Sequence, residues 1–134
     1  MKKEIVKKFA LTDTSIWFQG VQLFQIRAMR NFSDVVSGQL GGFVECEKNL
    51  SQTGDCWIAD NAKVFSKSRV CDDALVMGEA VICGHARIYE RAFVGSHAYI
   101  AGYNRVCGCS LIGGNALFYG NAILRNVRFY KRAW

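Results

Sequence analysis

An apolar residue recurs at every sixth position through the second part of this chain, and this period constrains the fold more than any other feature. A small residue follows four places later in every unit except the last, where Arg128 stands. A period of six fits neither a helix of 3.6 residues per turn nor a simple alternating strand, so each unit must be one short strand and one corner. The pattern predicts a β-solenoid. The apolar positions are Ile58, Val64, Val70, Val76, Ile82, Ile88, Val94, Ile100, Val106, Ile112, Phe118 and Leu124.

The position two places after each apolar residue carries a turn-forming residue. Glycine occupies it in six of twelve units, and Asp, Ser, Glu or Asn in the others. These residues adopt positive φ, or bond to their own backbone, more readily than other types. We therefore expect a corner at each of these positions.

The motif Val76-x-Gly78-x-Ala80 resembles the hexapeptide repeat of left-handed parallel β-helices, in which three hexads form one triangular coil. The resemblance covers residues 56 to about 130 and implies an all-β fold with about four coils, roughly 20 Å tall at the usual strand spacing. In this chain glycine stands two places after the aliphatic residue, whereas the commonest acyltransferase version has it one place after. The resemblance therefore supports the fold more strongly than it supports an enzyme.

Residues 1–54 lack the hexads and are predicted to form a β cap on the solenoid of residues 55–134, since a solenoid end must be covered. The segments 9–12, 16–18 and 21–28 are rich in β-branched and aromatic residues, and Gln19-Gly20 is a tight-turn sequence. The segments 25–28, 31–32, 38–45 and 49–51 resemble the head of a family of phage and prophage repeat proteins. That resemblance implies a bacterial or phage protein and no established chemistry.

Composition and the distribution of apolar residues predict the size of the domain and its cellular location. The chain has 134 residues, of which 51% are hydrophobic and 21% charged, enough for one packed domain. It has no apolar run long enough for a membrane span and no export signal near its start, so we expect a cytoplasmic protein of the bacterial cell that has no membrane partner. The six cysteines are then expected to be reduced.

Two faces of the predicted prism are unusually apolar. Residues three hexads apart lie above one another, which stacks apolar side chains in outward columns where a solvated surface would be polar. We expect a homo-oligomer, a trimer or a dimer, built through these faces. The residues assigned to its interface are Trp57, Leu75, Met77, Phe93 and Leu111 on the first face, and Val81, Tyr99, Leu117 and Tyr119 on the second.

The third face carries a column of Arg69, Arg87 and Arg105, with Tyr89 and Arg125 in the next column. Unit charges one strand spacing apart repel by roughly 1 kcal/mol in water, so the column needs an acidic counterpart. Three counterparts remain open: the chain's own acids at positions 72, 73 and 90, the acidic surface of another protein, or the phosphates of a nucleotide or nucleic acid.

Catalytic chemistry has weaker support. The two histidines are two hexads apart and so lie at different corners, and two are too few for a three-histidine zinc site. If the chain were an acyltransferase of the hexapeptide type, His97 would be the general base, with Glu79 and Asn115 below and above it. No metal and no cofactor are predicted. The favoured hypothesis is a non-catalytic phage-type protein that binds itself and a host protein or nucleoprotein, and so inhibits a host defence or regulatory system.

Overall fold

A computed structural model describes residues 6–132, which form strands and one short 3₁₀ turn but no α-helix. The head contains β1 (Phe9–Phe18), β2 (Val21–Ala28), β3 (Leu40–Val44) and the 3₁₀ turn Glu47–Asn49. The later strands are two to four residues long. They are β4 (Trp57–Ile58), β5 (Lys63–Val64), β6 (Arg69–Val70), β7 (Leu75–Val76), β8 (Val81–Ile82), β9 (Arg87–Ile88), β10 (Phe93–Val94), β11 (Tyr99–Ile100), β12 (Arg105–Cys107), β13 (Leu111–Gly114), β14 (Leu117–Phe118), β15 (Ile123–Arg125) and β16 (Arg128–Lys131).

These short strands stack into three parallel sheets, so the predicted β-solenoid is confirmed. One sheet has the order β16-β13-β10-β7-β4, the second β15-β12-β9-β6, and the third contains β3-β5-β8-β11-β14. Leu75 pairs with Trp57 on one side and Phe93 on the other, which is the expected register of three hexads per coil. The solenoid has about five turns, because β3 and β16 add a rung at either end of the hexads.

The register of three hexads per coil ends before the last strand. Leu111 pairs with Arg128, one position earlier than this register requires, and Ile112 pairs with Phe129. The last coil is thus one residue shorter than the others, and the shortening occurs beside Asn126, which has positive φ. There the Val127 amide donates to the Ser110 hydroxyl at 3.0 Å. The shorter coil brings the Phe129 ring to 5.0 Å from the Phe118 ring, near the end of the core. Strict register therefore ends with the twelfth hexad, where Arg128 already interrupts the column of small residues.

The aliphatic and alanine columns fill the interior. Side chains from Ile58 to Ile112 along the aliphatic column are fully buried, as are the alanines beside them. The polar members of the small-residue column are satisfied internally: Asn104, for example, donates to the Ala101 carbonyl and accepts from the Ala122 amide. Interior hydrogen bonds therefore offset the cost of burying these polar groups.

Positive φ occurs at all twelve predicted corners, from Asp60 to Asn126, whether or not the residue is glycine. Several acidic corner residues also join one coil to the next. The Asp60 carboxylate accepts from the Gly78 amide at 3.0 Å, and Asp72 accepts from the Glu90 amide at 3.0 Å. A carboxylate at a corner thus accepts a hydrogen bond from a backbone amide of the next coil and helps to hold the two coils together.

The head is continuous with the solenoid. β1 and β2 form an antiparallel hairpin, β2 pairs with β3, and β3 pairs in parallel with β5. Parallel stacking thus begins within the residues assigned to the head. The hairpin also folds over the outside of the second face, where Leu23 packs in one cluster with Phe65, Val81, Cys83 and Ala101. The head therefore covers the second face as far as Ala101, whereas Leu117 and Tyr119 stay exposed; the sequence left open which face the head covers.

Lys8 closes the first turn from below. Its side chain is 1% exposed, and its ammonium group donates to the carbonyls of Cys56 (2.8 Å), Gly54 (3.2 Å) and Thr53 (3.5 Å). Burial raises the pKa of the adjacent Cys56 thiol, although the charge of Lys8 opposes this shift. The thiol is therefore protonated at neutral pH, and the carbonyl dipoles solvate the ammonium charge.

All six cysteines are free thiols: Cys56, Cys83 and Cys107 are buried, Cys71 is half-buried, and Cys46 and Cys109 are exposed. Within residues 6–132, no helix has the length and apolar character needed to cross a membrane.

Candidate functional site

The three arginines of the third face form a ladder on adjacent rungs. Arg87 pairs with Arg69 on one side and with Arg105 on the other, through β9, β6 and β12. Their strand neighbours Val70, Ile88 and Val106 are buried in the core, so alternation along each strand turns the arginines outward. All three are exposed, and we call them the arginine ladder.

The acids beside the arginine ladder are engaged elsewhere. Asp72 accepts from the Glu90 amide, Asp73 accepts from the Asp55 amide at 3.1 Å, and Glu90 forms an ion pair with Arg125 at 2.9 Å. Within residues 6–132, no ion pair reaches a guanidinium group of the ladder. These acids therefore bond within the fold or to Arg125, and none forms an ion pair with the ladder, although the Asp72 carboxylate lies in a cavity beside it.

Tyr89 borders a shallow cavity of about 300 Å³ that is lined by Cys71, Asp72, Arg87, Tyr89 and Arg105. Contact with the Cys107 thiol, together with desolvation, raises the pKa of the Tyr89 phenol. Burial and the charge of Asp72 raise the pKa of the Cys71 thiol, while the nearby arginines act in the opposite direction. Both groups are protonated at neutral pH, so the cavity presents two guanidinium groups and one carboxylate.

Two lysines extend this positive surface at the N-terminal end. A cavity of about 350 Å³ next to Arg69 is lined also by Lys48 and Lys67. Sequence reasoning did not assign these lysines to a site. The three-hexad spacing could have indicated Lys67, because it places this lysine in one column with His85 and Tyr103, next to the arginines.

His85 and Tyr103 form a stacked aromatic pair at the corner next to the arginine ladder. Their ring centroids are 4.4 Å apart and their planes differ by 8°. Both residues are exposed, Tyr103 to 62% of its surface. The sequence placed them in one column, but no role was predicted for either ring.

His97 lies at a different corner, in an open cavity of about 820 Å³ whose lining includes Ser96, Asn115, Tyr130 and Lys131. Asn115 thus lines the same cavity as the histidine. The Glu79 carboxylate instead accepts from the Asn61 side chain at 2.9 Å, and within the described residues no hydrogen bond joins it to the imidazole. His97 therefore lacks the oriented partner that a general base normally uses.

The residues assigned to an oligomer interface fall into three groups. Trp57 and Val81 are covered by the chain's own head, Trp57 by the ring of Phe32 at 5.3 Å, so neither lies on a free surface. A second group, Leu75, Met77, Phe93 and Tyr99, is half-buried. Leu111, Leu117 and Tyr119 are exposed, and all three belong to the last coil.

Metal ligands do not cluster in the described part of the chain: no three His, Cys, Asp or Glu side chains among residues 6–132 are placed to hold an ion.

Comparison with known proteins reveals a partial similarity. No family model matches the chain. A stretch of 48 residues is 46% identical to a protein of Escherichia coli strain K12 named "Uncharacterized acetyltransferase YdcK". That stretch is 35% of this chain but only 15% of the length of the relative. The similarity agrees with a repeat of the hexapeptide type and covers a small part of the other protein.

Proposed function

We propose that this protein is a non-catalytic binding module that holds an anionic macromolecule on its arginine ladder. The observation that carries the proposal is the ladder itself: three exposed guanidinium groups on adjacent rungs, with the neighbouring acids engaged elsewhere. Stacked like charges cost free energy in the isolated protein, and a polyanion would remove this cost on binding. The guanidinium fork is also the side-chain group best suited to carboxylate and phosphate.

The resemblance of the head to phage and prophage repeat proteins makes a macromolecule of the bacterial host the expected partner. Inhibition of a host defence or regulatory system is the expected consequence of binding. The proposal includes self-association. Because the head covers much of the second face, we assign this association to exposed apolar residues of the last coil instead of to the two apolar faces.

Immobilised heparin tests the ladder as a polyanion site. The variant Arg69→Gln/Arg87→Gln/Arg105→Gln should elute at clearly lower salt than the wild type. A matched control, Arg27→Gln/Arg128→Gln/Lys131→Gln, removes the same charge from exposed positions on other faces and should elute close to the wild type. Equal elution of the two variants would overturn the proposal. Circular dichroism and urea unfolding establish that both variants remain folded.

Acetyl transfer is the second candidate, favoured by the name of the partial relative and by the cavity at His97. Lys131 and Arg132 at this cavity could neutralise the phosphates of acetyl-coenzyme A, and His97 could take a proton from an acceptor hydroxyl or amine. We rank acetyl transfer second because, among the described residues, no hydrogen bond joins the Glu79 carboxylate to the His97 imidazole.

Release of coenzyme A from acetyl-coenzyme A, measured with amine and hydroxyl acceptors, tests this candidate. Turnover that is lost in His97→Ala but kept in His85→Ala would establish the enzyme. Absence of turnover in the wild-type protein would remove this candidate.

A further inference from the structure

We propose that the polyanion is a single-stranded nucleic acid, with phosphates on the arginine ladder and bases stacked on the rings beside it. This inference rests on the proposed function and specifies its partner. It depends on an arrangement in which aromatic rings flank the arginines on successive rungs.

The arrangement follows from the hexad register. Residues two apart along a strand point to the same side, so the residue that follows each corner and the arginine two places later both face outward. One rung carries His85, Arg87 and Tyr89, and the next carries Tyr103 and Arg105. The His85 and Tyr103 rings thus flank Arg87 and Arg105 on one side, at the strand spacing of about 4.8 Å, and the Tyr89 ring flanks Arg87 on the other side.

The His85–Tyr103 stack forms an exposed aromatic surface beside the arginine ladder. The two rings are almost parallel. Tyr103 is the more C-terminal of the two residues, and Asn121 follows it in the column. Most of the surface of Tyr103 is exposed. An unpaired base has an equivalent π face, and stacking of a base on an aromatic side chain is tolerant of sequence. The corner thus supplies stacking beside a column that supplies charge.

The charge around this aromatic surface is predominantly positive. Lys48 and Lys67 lie next to Arg69 at the N-terminal end of the ladder. On the far side, Arg125 is paired with Glu90, and Asp72 lines the cavity at Tyr89. A nucleic-acid backbone that follows the arginine column, with the His85–Tyr103 pair on one side and Tyr89 on the other, would meet cations along its length and keep these acids at its edge.

A single strand fits this surface better than the other polyanions. Reading a duplex requires a helix or a ribbon that enters a groove, whereas this face is a flat sheet of strands two or three residues long. In a duplex, moreover, the bases are stacked on one another and cannot reach the rings. An acidic protein would engage the arginines but would give the exposed Tyr103 ring no comparable role.

Fluorescence anisotropy of a labelled twelve-nucleotide oligo(dT), titrated at several salt concentrations, tests the inference. The wild type should bind the oligo(dT) more tightly than a duplex of the same length. The triple Arg→Gln variant of the ladder should reduce the slope of log K against log salt by about two, since each phosphate contact to a single strand contributes about 0.7. Tyr103→Ala should weaken binding by about tenfold or more with little change of slope, because it removes stacking and not charge.

Trp17→Ala, which removes a comparably exposed aromatic ring from the head, is the matched control and should bind as the wild type does. Equal affinity for duplex and single strand, or no effect of Tyr103→Ala, would overturn the single-strand inference. Ladder-dependent retention on heparin without oligonucleotide binding would overturn only this inference and favour an acidic protein. Loss of ladder dependence in both experiments would overturn the proposed function as well.

Discussion

A single buried lysine takes the place of a missing coil at the N-terminal end of the solenoid. Carbonyl groups of residues 53, 54 and 56 face this end, where the coil below would have supplied amide donors. The Lys8 ammonium supplies the donors instead, and it also lies 5.3 Å from the Phe32 ring. Its side chain therefore couples the head to the first turn.

We expect Lys8→Met to reduce the free energy of unfolding by at least about 2 kcal/mol, because buried carbonyl groups would lose their donor. Lys7→Met is the matched control: Lys7 is exposed and forms a surface ion pair with Glu47, so its loss should cost less than about 1 kcal/mol. Urea unfolding followed by circular dichroism measures both. Equal stability of the two variants would contradict a capping role for Lys8.

Residue-level prediction succeeded where the repeat dictated the geometry. The column of Arg69, Arg87 and Arg105 could be read from spacing alone, because every residue of a solenoid has a neighbour three hexads further along the chain. Lys8 could not be identified in this way. Its partners lie far along the chain in a segment without hexads, and their carbonyl positions depend on how the chain enters the first coil.

At the scale of the element, the corners decide whether coils can stack. Positive φ is required at each corner, but the space above a corner differs from one position to another. A Cβ atom at Gly102 would lie 2.5 Å from the Gly120 carbonyl oxygen in the next coil, whereas a Cβ atom at Gly20 in the hairpin turn would meet nothing within 4 Å. Both glycines have positive φ, so they differ in contact rather than in backbone conformation.

This difference yields a prediction about stacking. Gly20→Ala should cost about 1 kcal/mol, the usual penalty for a side chain at positive φ. Gly102→Ala should cost this amount and about 1–3 kcal/mol more, since the next coil must shift to admit the methyl group. The midpoints of thermal or urea unfolding compare the stability of the two variants. An equal loss of stability in both would contradict the prediction and show that the next coil can shift at little cost.

Element prediction was incomplete in two places, for different reasons. The last coil is one residue short, and the sequence carried a signal for this in Arg128, the only member of its column that is not small. The route of the head over the second face carried no comparable signal. Val81 and Phe65 are apolar whether they are covered by the hairpin or by another molecule, and only the fold of the hairpin distinguishes these cases.

At the scale of the whole molecule, the two ends of the solenoid differ. The hairpin and Lys8 cover the N-terminal end, whereas β14, β15 and β16 are each the last strand of their sheet among residues 6–132. Unpaired strand edges next to exposed apolar side chains favour association. The exposed apolar residues at this end are Leu117, Tyr119, Ile123, Phe129 and Tyr130.

We therefore expect two copies of the chain to associate through their last coils in a concentration-dependent equilibrium. Leu117→Lys/Ile123→Lys should give a monomer, because Leu117 and Ile123 are 56% and 64% exposed and Arg125, Arg128 and Lys131 already make this end positive. Trp17→Lys/Val36→Lys replaces exposed apolar residues of the head and should associate as the wild type does. Sedimentation velocity over a hundredfold range of concentration separates these outcomes. If the wild type stayed monomeric at every concentration, there would be no such interface. If only the head variant became monomeric, the contact would lie in the head, because an interface at the last coil makes association depend on Leu117 and Ile123.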